Sequence, residues 1–288
     1  MTMSRSAVAR TVLLAVATVF AAGAHPPAVG AAPGTYVAVG DSFTAGPGIL
    51  NQQLDQLGCF RSDHNYPRLV AQARGSALRD PSCSGAKTTD LTAPQVILGG
   101  ANPPQFNSLD VSVATISMQI GGNDIGFSEI LYRCAALLPL GAPCRTVYAA
   151  GGTDELSRRI AATAPKVAAA LTEARRRSPQ ARIYVLGYPA ILPEAGVGCW
   201  PSLPIAPDDV PYLRDKQKEL NAMLATQAAA AGATYVDVYT PSIGHDACQL
   251  PGVRWVEPLV PLSPAAPVHP NALGMQGMAA VLAGAIAG

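Results

Sequence analysis

Short apolar runs, each ending at a turn residue, recur along the chain. Residues 35–40 read TYVAVG, a β-rich run that ends in glycine and predicts a buried strand. Similar runs predict strands over residues 111–120, 182–187 and 233–238, and a shorter strand is predicted over residues 76–79. Continuous apolar runs of this length are typical of strands that are buried on both faces.

Apolar residues at helical spacing lie between these runs. In one segment they are Leu156, Ile160, Val167 and Leu171. The acidic start at residues 153–155 and the arginines at 175–177 suit the two ends of a helix dipole. Because Pro165 lacks a backbone N–H, we expect a kink there or two shorter helices. Further helices are predicted over residues 67–74, 209–231 and 271–287.

Strands that alternate with helices predict a parallel sheet with helices on both faces, the α/β class of fold. Several long irregular segments follow the strands directly, so they gather at the carboxyl edge of the sheet, where such sheets bind ligands. These segments cover residues 43–66, 84–108, 125–150, 189–207 and 240–268. We find no internal repeat and no linker-like composition, and we expect a single domain over residues 35–288.

The first residues have the pattern of a secretory signal peptide. Arg5 and Arg10 precede an apolar run at residues 11–22, and a small-residue cleavage pattern follows at 22–24. We therefore expect a signal peptide over residues 1–24 and a short linker over 25–34. The alternative is an uncleaved anchor helix, but the run is short for a bilayer span. Since no later segment has about 18 consecutive apolar residues, we expect a secreted or cell-envelope-associated protein without a stable membrane span.

Composition and charge exclude two classes of protein. The 288 residues are 49% hydrophobic and 14% charged, which is unlike a disordered chain. The 20 basic and 19 acidic residues give a net charge of +1, so no basic excess exists to neutralise a nucleic-acid backbone. We expect a monomer without nucleic-acid partners.

Cysteine usage agrees with export. The six cysteines form no C-x-x-C pair, which argues against a zinc site or a thioredoxin-type redox motif. Six cysteines allow 15 connectivities, and the sequence alone does not choose among them. Sequential pairing, which closes three local loops, is the arrangement we expect: Cys59–Cys83, Cys134–Cys144 and Cys199–Cys248.

Three polar motifs stand at the ends of predicted strands or helices. Gly-Asp-Ser-Phe at residues 40–43 places the hydroxyl of Ser42 on the turn that leaves the first strand. Gly-Gly-Asn-Asp at 121–124 offers the side-chain amide of Asn123 as a donor. His269 precedes the last predicted helix, and imidazole suits a general base near neutral pH. A nucleophile, a base and neutral donors are together what acyl transfer requires.

These motifs, in this order, resemble the SGNH (GDSL-type) hydrolases, above all the secreted actinobacterial esterases and lipases. The similarity runs from about Tyr36 to the last helix, through blocks at residues 39–46, 83–88, 121–124 and 269–274. It implies a three-layer α/β/α sandwich with a mostly parallel, flavodoxin-like sheet of about five strands. The pattern from Cys59 to Pro67 resembles the secreted lipase branch, in which three sequential disulfides are usual.

The resemblance also implies a role for each motif. Ser42 matches the family nucleophile and His269 its general base. The oxyanion hole would consist of the backbone N–H groups of Ser42 and Gly85 and the side-chain amide of Asn123. Asp41 and Asp124 would be structural. The substrate would be a small ester or lipid, and its hydrolysis would need no metal and no cofactor.

One position departs from the family pattern. The family usually has an aspartate three residues before the histidine, and this chain has Ala266 there. Because some secreted members use a backbone carbonyl at that position, we expect the Ala266 carbonyl to accept the Nδ1–H of His269, giving a Ser–His dyad. The alternative is a carboxylate from elsewhere, with Asp246 and Glu257 as candidates.

Other functions remain open at this stage. An α/β-hydrolase is disfavoured because no G-x-S-x-G motif occurs in the chain. A carbohydrate (acetyl) esterase is a second enzymatic hypothesis, since the same fold family includes such members. A non-catalytic secreted binding module is a third hypothesis, supported only by the missing aspartate. No spacing in the sequence fixes the acyl chain or the alcohol of the substrate.

Overall fold

A computed structural model describes residues 1–2, 34–56 and 58–288, and its central feature is a five-stranded sheet. The strands, in chain order, are β1 (Thr35–Gly40), β2 (Leu78–Arg79), β3 (Val113–Gln119), β4 (Arg182–Leu186) and β5 (Thr234–Val236). Their spatial order is β2-β1-β3-β4-β5, and every neighbouring pair is parallel. This is the strand order of flavodoxin, so the predicted α/β class and sheet type are confirmed.

Seven α-helices connect and cover the strands. They are α1 (Ser42–Ala45), α2 (Tyr66–Arg74), α3 (Phe127–Cys134), α4 (Pro143–Tyr148), α5 (Glu155–Arg177), α6 (Val210–Ala230) and α7 (Ala272–Ala287). The helices α3 and α4 lie inside the segment 125–150 that we expected to be irregular. Two small antiparallel hairpins and five short 3₁₀ turns make up the other regular elements of the described residues.

Alternating residues of β1 bury their side chains in two different apolar clusters. Val37 and Val39 belong to the cluster that contains the buried residues of α5 and α6. Tyr36 and Ala38 belong to the second cluster, with the buried residues of α2 and α7. Because successive side chains of a strand point to opposite faces, the sheet is the middle layer of a three-layer sandwich.

The predicted break at Pro165 does not divide the helix, because α5 continues from Glu155 to Arg177 in one piece. Pro165 is exposed, and its neighbours Thr163 and Val167 are the buried residues of that turn. The carbonyl that loses its helical partner therefore lies on the solvent side, where water can bond it. Of the two alternatives expected at Pro165, a kink or two shorter helices, the second was wrong for this reason, and the kink stays a prediction.

The six cysteines form three disulfides, Cys59–Cys83, Cys134–Cys144 and Cys199–Cys248. This confirms the sequential pairing. The first disulfide joins the loop before α2 to the loop that follows β2. The second disulfide joins the end of α3 to α4. The third joins the loop between β4 and α6 to the loop between β5 and α7, and so constrains two long segments that have little regular structure.

The predicted signal peptide (residues 1–24) and linker (25–34) lie almost entirely in residues 3–33, outside the described residues, and both remain predictions. Residues Ala32–Gly288 form one compact unit that contains the whole sheet. In the part of the chain that the structure describes, no helix is long and apolar enough to cross a membrane.

Candidate active site

Ser42 stands at the carboxyl end of β1, as the first residue of α1. Asp41 caps this short helix, its Oδ1 accepting a hydrogen bond of 2.9 Å from the backbone N–H of Phe43. Only glycine fits at position 40, because a Cβ there would lie 2.7 Å from the carbonyl oxygen of Gln119 on β3. The sheet order reverses between β1 and β3, and ligands of such sheets bind at this point.

His269 lies against Ser42, although 227 residues separate them in the chain. Its Nε2 is 2.7 Å from Ser42 Oγ. The imidazole packs against two aromatic rings, with centroid distances of 5.1 Å to Phe43 and 5.8 Å to Phe127. The preceding residue, Val268, has a φ of 58°, which β-branched residues rarely adopt. Such strained backbone persists where the surrounding structure imposes it, as at functional sites.

The carbonyl that contacts the imidazole belongs to Pro267, not to Ala266 as expected. The distance from His269 Nδ1 to the Pro267 oxygen is 2.7 Å. The Ala266 carbonyl instead accepts the backbone N–H of His269 at 3.2 Å, which closes a tight turn around Val268. The positive φ in this turn directs the next carbonyl toward the ring, a feature that residue spacing does not reveal.

This contact fixes the tautomer of His269. A carbonyl oxygen can only accept, so Nδ1 carries the proton and Nε2 is free to accept from the hydroxyl of Ser42. Burial lowers the pKa of His269 below its usual value, and the Pro267 carbonyl offsets part of this effect. The ring is therefore neutral at neutral pH and able to take a proton.

Neither candidate carboxylate contacts the imidazole. Asp246 accepts hydrogen bonds from the Cys248 backbone and the Gln249 side chain. Glu257 is fully buried and accepts from Arg254 Nη2 at 2.5 Å and from Asn271 Nδ2 at 2.7 Å. Its backbone N–H donates to the His269 carbonyl at 3.0 Å, so Glu257 supports the loop rather than the ring.

Hydrogen bonds connect the segments that carry the three predicted donors, and one of them runs from the Cys83 N–H to the Gly40 carbonyl at 3.1 Å. Among the described residues, the backbone N–H groups of Ser42 and Gly85 have no hydrogen-bond partner. Gly85 has a φ of 77°, a conformation that glycine adopts without strain. The side chain of Asn123 donates one hydrogen bond of 3.0 Å to the Ala86 carbonyl, which fixes the amide beside this loop. An amide has two donor hydrogens, so one remains for an oxyanion.

Asp124, expected to be structural, holds the neighbouring loop. Its two carboxylate oxygens accept from the backbone N–H of Thr88 at 2.9 Å and from the Thr88 hydroxyl at 2.6 Å. The loop that carries Gly85 is thereby tied to the segment that carries Asn123. Asp41 has a comparable set of contacts on the other side of the site.

Tyr188 is a residue of this site that the sequence analysis missed. Its hydroxyl donates to Asp41 Oδ2 at 2.6 Å and accepts from the Gly122 N–H at 2.9 Å. Burial raises the pKa of Asp41 to about 7, despite the hydrogen bonds from Tyr188 and Phe43. The only signal in the sequence was the position of Tyr188 just after β4, at the same sheet edge.

The other histidines lie elsewhere. His245 Nδ1 is 2.5 Å from the Val253 carbonyl, and its ring stacks on Trp255 with a centroid distance of 5.0 Å. His64 pairs with its neighbour Asp63. His25 lies outside the described residues. His269 is thus the described histidine that contacts Ser42.

An apolar pocket opens beside Ser42. Its walls come from α3, α6 and the loop between β4 and α6, including Ile130, Leu192, Ile205 and Leu220. Two polar residues of the wall are already engaged: Asp41 by Tyr188, and Lys216 by Asp154 at 2.8 Å. The pocket therefore suits a hydrocarbon chain better than a charged or hydroxylated group.

Comparison with known proteins decides the family. A model described as the GDSL-like Lipase/Acylhydrolase family matches residues 38–276. The chain belongs to this family. It is 41% identical over 250 residues to a Streptomyces coelicolor protein named Lipase 2, covering 85% of this chain and 83% of that one. As a member of the family, the protein is a carboxylic ester hydrolase of the lipase and esterase type.

Two solved structures of the same family share the fold. Phospholipase A1 from Streptomyces albidoflavus NA297 is 26% identical, with a TM-score of 0.72, covering 87% of this chain and 98% of that one. The extracellular lipase from Streptomyces rimosus is also 26% identical, with a TM-score of 0.71 and coverages of 88% and 99%. The resemblance inferred from the motifs is confirmed.

Proposed function

We propose that the protein is a secreted serine ester hydrolase that acts on acyl lipids through Ser42 and His269. The observation that carries this proposal is the 2.7 Å contact between Ser42 Oγ and His269 Nε2. In this dyad the Pro267 carbonyl holds the ring in place of the usual carboxylate. The family membership gives the reaction class, and the geometry supports the choice of Ser42 and His269.

The reaction begins when Ser42 attacks the carbonyl carbon of the ester while His269 takes the hydroxyl proton. The resulting oxyanion accepts hydrogen bonds from the N–H groups of Ser42 and Gly85 and from the Asn123 amide. His269 then protonates the departing alcohol, which leaves an acyl-enzyme. Water, activated by the same imidazole, releases the acid and restores the hydroxyl of Ser42.

The neutral partner of His269 changes the energetics of these steps. A carboxylate would stabilise the imidazolium that forms in each transition state, whereas a carbonyl does so only through its dipole. The donors around the oxyanion therefore carry more of the stabilisation. Removing one donor from such a site commonly lowers the rate by about 10²–10³.

The pocket supports an acyl lipid as substrate. Its walls are aliphatic and aromatic, and it begins at the nucleophile, so a bound acyl chain would bury its methylenes there. The relatives are named lipase and phospholipase A1, names that describe those proteins. A carbohydrate (acetyl) esterase would instead need polar groups around the alcohol and only a small acyl site.

Three disulfides and the relatives support secretion. Disulfides persist in oxidising compartments, and all six cysteines are paired. One solved relative is described as an extracellular lipase. Together with the predicted signal peptide at residues 1–24, this supports export.

The test is hydrolysis of p-nitrophenyl esters from acetate to palmitate by the parent protein and three variants. Ser42→Ala and His269→Ala each abolish hydrolysis with folding intact, and His245→Ala, the control histidine, leaves it unchanged. A fluorophosphonate probe labels the parent but not Ser42→Ala. Retained hydrolysis in either site variant contradicts the dyad, and a preference restricted to acetate contradicts the lipid substrate.

A further inference from the structure

Three loops near the active site contain no charged residue. Residues 134–144 read CAALLPLGAPC, residues 199–206 read CWPSLPIA, and residues 258–268 read PLVPLSPAAPV. A solvent-exposed surface normally carries Lys, Arg, Asp and Glu in mixture. Long surface segments without any of them therefore call for a physical explanation.

These loops expose large apolar side chains. We call this set the apolar rim: Leu137, Leu138, Leu140, Trp200, Leu259, Val260 and Leu262. Leu137 is 94% exposed, and Val260 and Leu262 are 70% and 72% exposed. Single exposed apolar residues are ordinary on protein surfaces, but a group of them on adjoining loops marks an interaction site.

Hydrogen bonds join the three loops side by side. Trp200 Nε1 donates to the Ala136 carbonyl at 3.0 Å, and the Ala136 N–H donates to the Pro204 carbonyl at 2.7 Å. The Leu259 N–H donates to the Ser202 carbonyl at 3.1 Å. Disulfides close the first loop and anchor the second. The rim is consequently one ordered surface rather than three independent loops.

The same loops form part of the active site. Leu203 and Ile205, in the second loop, line the pocket beside Ser42. The third loop ends at His269, and the Val268 N–H donates to the Pro258 carbonyl at 3.3 Å. The first loop follows α3, which contributes Ile130 to the pocket wall. The rim is thus continuous, along the chain and through hydrogen bonds, with the site of hydrolysis.

We propose that the apolar rim binds the surface of an aggregated, uncharged acyl ester, so that single chains pass from the aggregate into the pocket. The proposal rests on the proposed function, which supplies the ester as substrate. Lack of charge on all three loops selects the partner: an anionic bilayer is recognised by clusters of Lys and Arg, and the rim has none. Contact between an apolar protein surface and an uncharged hydrocarbon interface is favourable because it removes apolar area from water.

The test compares droplet binding by variants in a Ser42→Ala background, in which the lipid is not consumed. The rim variant is Leu137→Ser, Leu140→Ser and Val260→Ser. The control variant is Leu54→Ser, Leu98→Ser and Val111→Ser, which replaces equally exposed apolar residues outside the three loops. All proteins carry the same N-terminus, so differences between them report the substituted positions.

Flotation with triolein droplets measures binding, and vesicles of phosphatidylglycerol are the charged comparison. We expect the rim variant to bind droplets at least tenfold more weakly than its parent, and the control variant to bind as the parent does. We expect the parent to bind droplets in preference to the charged vesicles. Equal binding by the rim variant, or preferred binding to the charged vesicles, overturns the proposal.

Two further measurements separate this proposal from others. With Ser42 restored, the rim variant hydrolyses soluble p-nitrophenyl acetate within about twofold of the parent but loses activity on emulsified triolein. If the parent elutes as a dimer and the rim variant as a monomer, the rim is an interface between two copies and the proposal fails. Failure of the proposed function shows separately, as hydrolysis by Ser42→Ala, and does not affect the flotation result.

Discussion

The hydroxyl of Tyr188 donates a 2.6 Å hydrogen bond to the carboxyl group of Asp41, the residue before Ser42. It also accepts the N–H of Gly122, the residue before Asn123. One side chain after β4 thus connects the ends of β1 and β3, which carry the proposed nucleophile and one proposed oxyanion donor. The relative position of these two groups depends on a contact that neither of their motifs contains.

Replacing Tyr188 by Phe tests this connection. The variant keeps the ring packed on Phe43 but leaves the N–H of Gly122 and one Asp41 oxygen without a partner. A buried unsatisfied group costs about 1–3 kcal/mol, so we expect a loss of stability of that size and a kcat lower by about tenfold. Urea unfolding and p-nitrophenyl butyrate hydrolysis measure the two effects.

Tyr148→Phe is the matched control. The hydroxyl of Tyr148 is buried on α4 and has no hydrogen-bond partner among the described residues, so its removal breaks no hydrogen bond that the structure shows. We expect unchanged activity and equal or higher stability. Similar losses of kcat in both variants would show that removal of any buried phenol hydroxyl is responsible.

Titration of Asp41 makes the free energy of unfolding decrease as the pH rises. Burial raises its pKa to about 7, whereas the unfolded value is near 3.8, so the folded state holds a proton that the unfolded state has lost. Stability contributed by this group is fully present below pH 3.8 and falls as the pH rises through 7. Between pH 5 and pH 7 the loss is about 2 kcal/mol.

The Asp41→Asn variant removes this contribution. We expect its free energy of unfolding to fall by about 2 kcal/mol less than that of the parent over the same pH interval. Urea unfolding at pH 5, 6 and 7 provides the comparison. Parallel curves for the two proteins would mean that Asp41 is ionised throughout, against the effect of its burial.

His269 sets the acid limb of the pH–rate profile. Because burial lowers its pKa, we expect kcat/KM for a soluble ester to reach half its plateau below pH 6.5. The Asp41→Asn variant should keep this limb, since Asp41 does not contact the imidazole. A midpoint above pH 6.5 would contradict the lowering of the His269 pKa by burial.

Amide substitutions of the two carboxylates test the neutral partner of His269. Asp246→Asn and Glu257→Gln should leave the midpoint of the acid limb in place, because both side chains hydrogen-bond other groups. Glu257→Gln also leaves Arg254 buried without its counter-ion, a change that costs about 3–5 kcal/mol. A shift of the midpoint in either folded variant would identify that carboxylate as the partner of the imidazole.

Much of the fold could be predicted because its elements have local causes. The strand at Thr35–Gly40 has the predicted boundaries, since an apolar run ends at a glycine that steric crowding requires. The helix α7 begins where Asn271 caps it, as the sequence motif indicated. Ser42, Asn123 and His269 come together because each stands at the end of an element that the topology brings to one edge.

The remaining features depend on contacts that local sequence does not encode. Helix α3 is only eight residues long, which is too short for a clear helical pattern in the sequence. Its apolar residues are explained by the pocket that they line in the folded protein. The role of Tyr188 comes from neighbours 147 and 66 positions away in the chain. The imidazole contacts the Pro267 carbonyl, not the expected Ala266 carbonyl, because Val268 has a positive φ. This backbone conformation is a property of the folded turn.

The bond between Cys59 and Cys83 is one of several contacts that hold the turn carrying Gly85. The turn that carries Gly85 is held by that bond and by the hydrogen bond of 3.1 Å from the Cys83 N–H to the Gly40 carbonyl. The side chains of Asn123 and Asp124 also hold this loop, through the Ala86 carbonyl and the Thr88 N–H, so a reduced chain keeps these hydrogen bonds and loses the covalent one. We therefore expect reduction of this disulfide to loosen the turn and to lower the rate of ester hydrolysis without abolishing it.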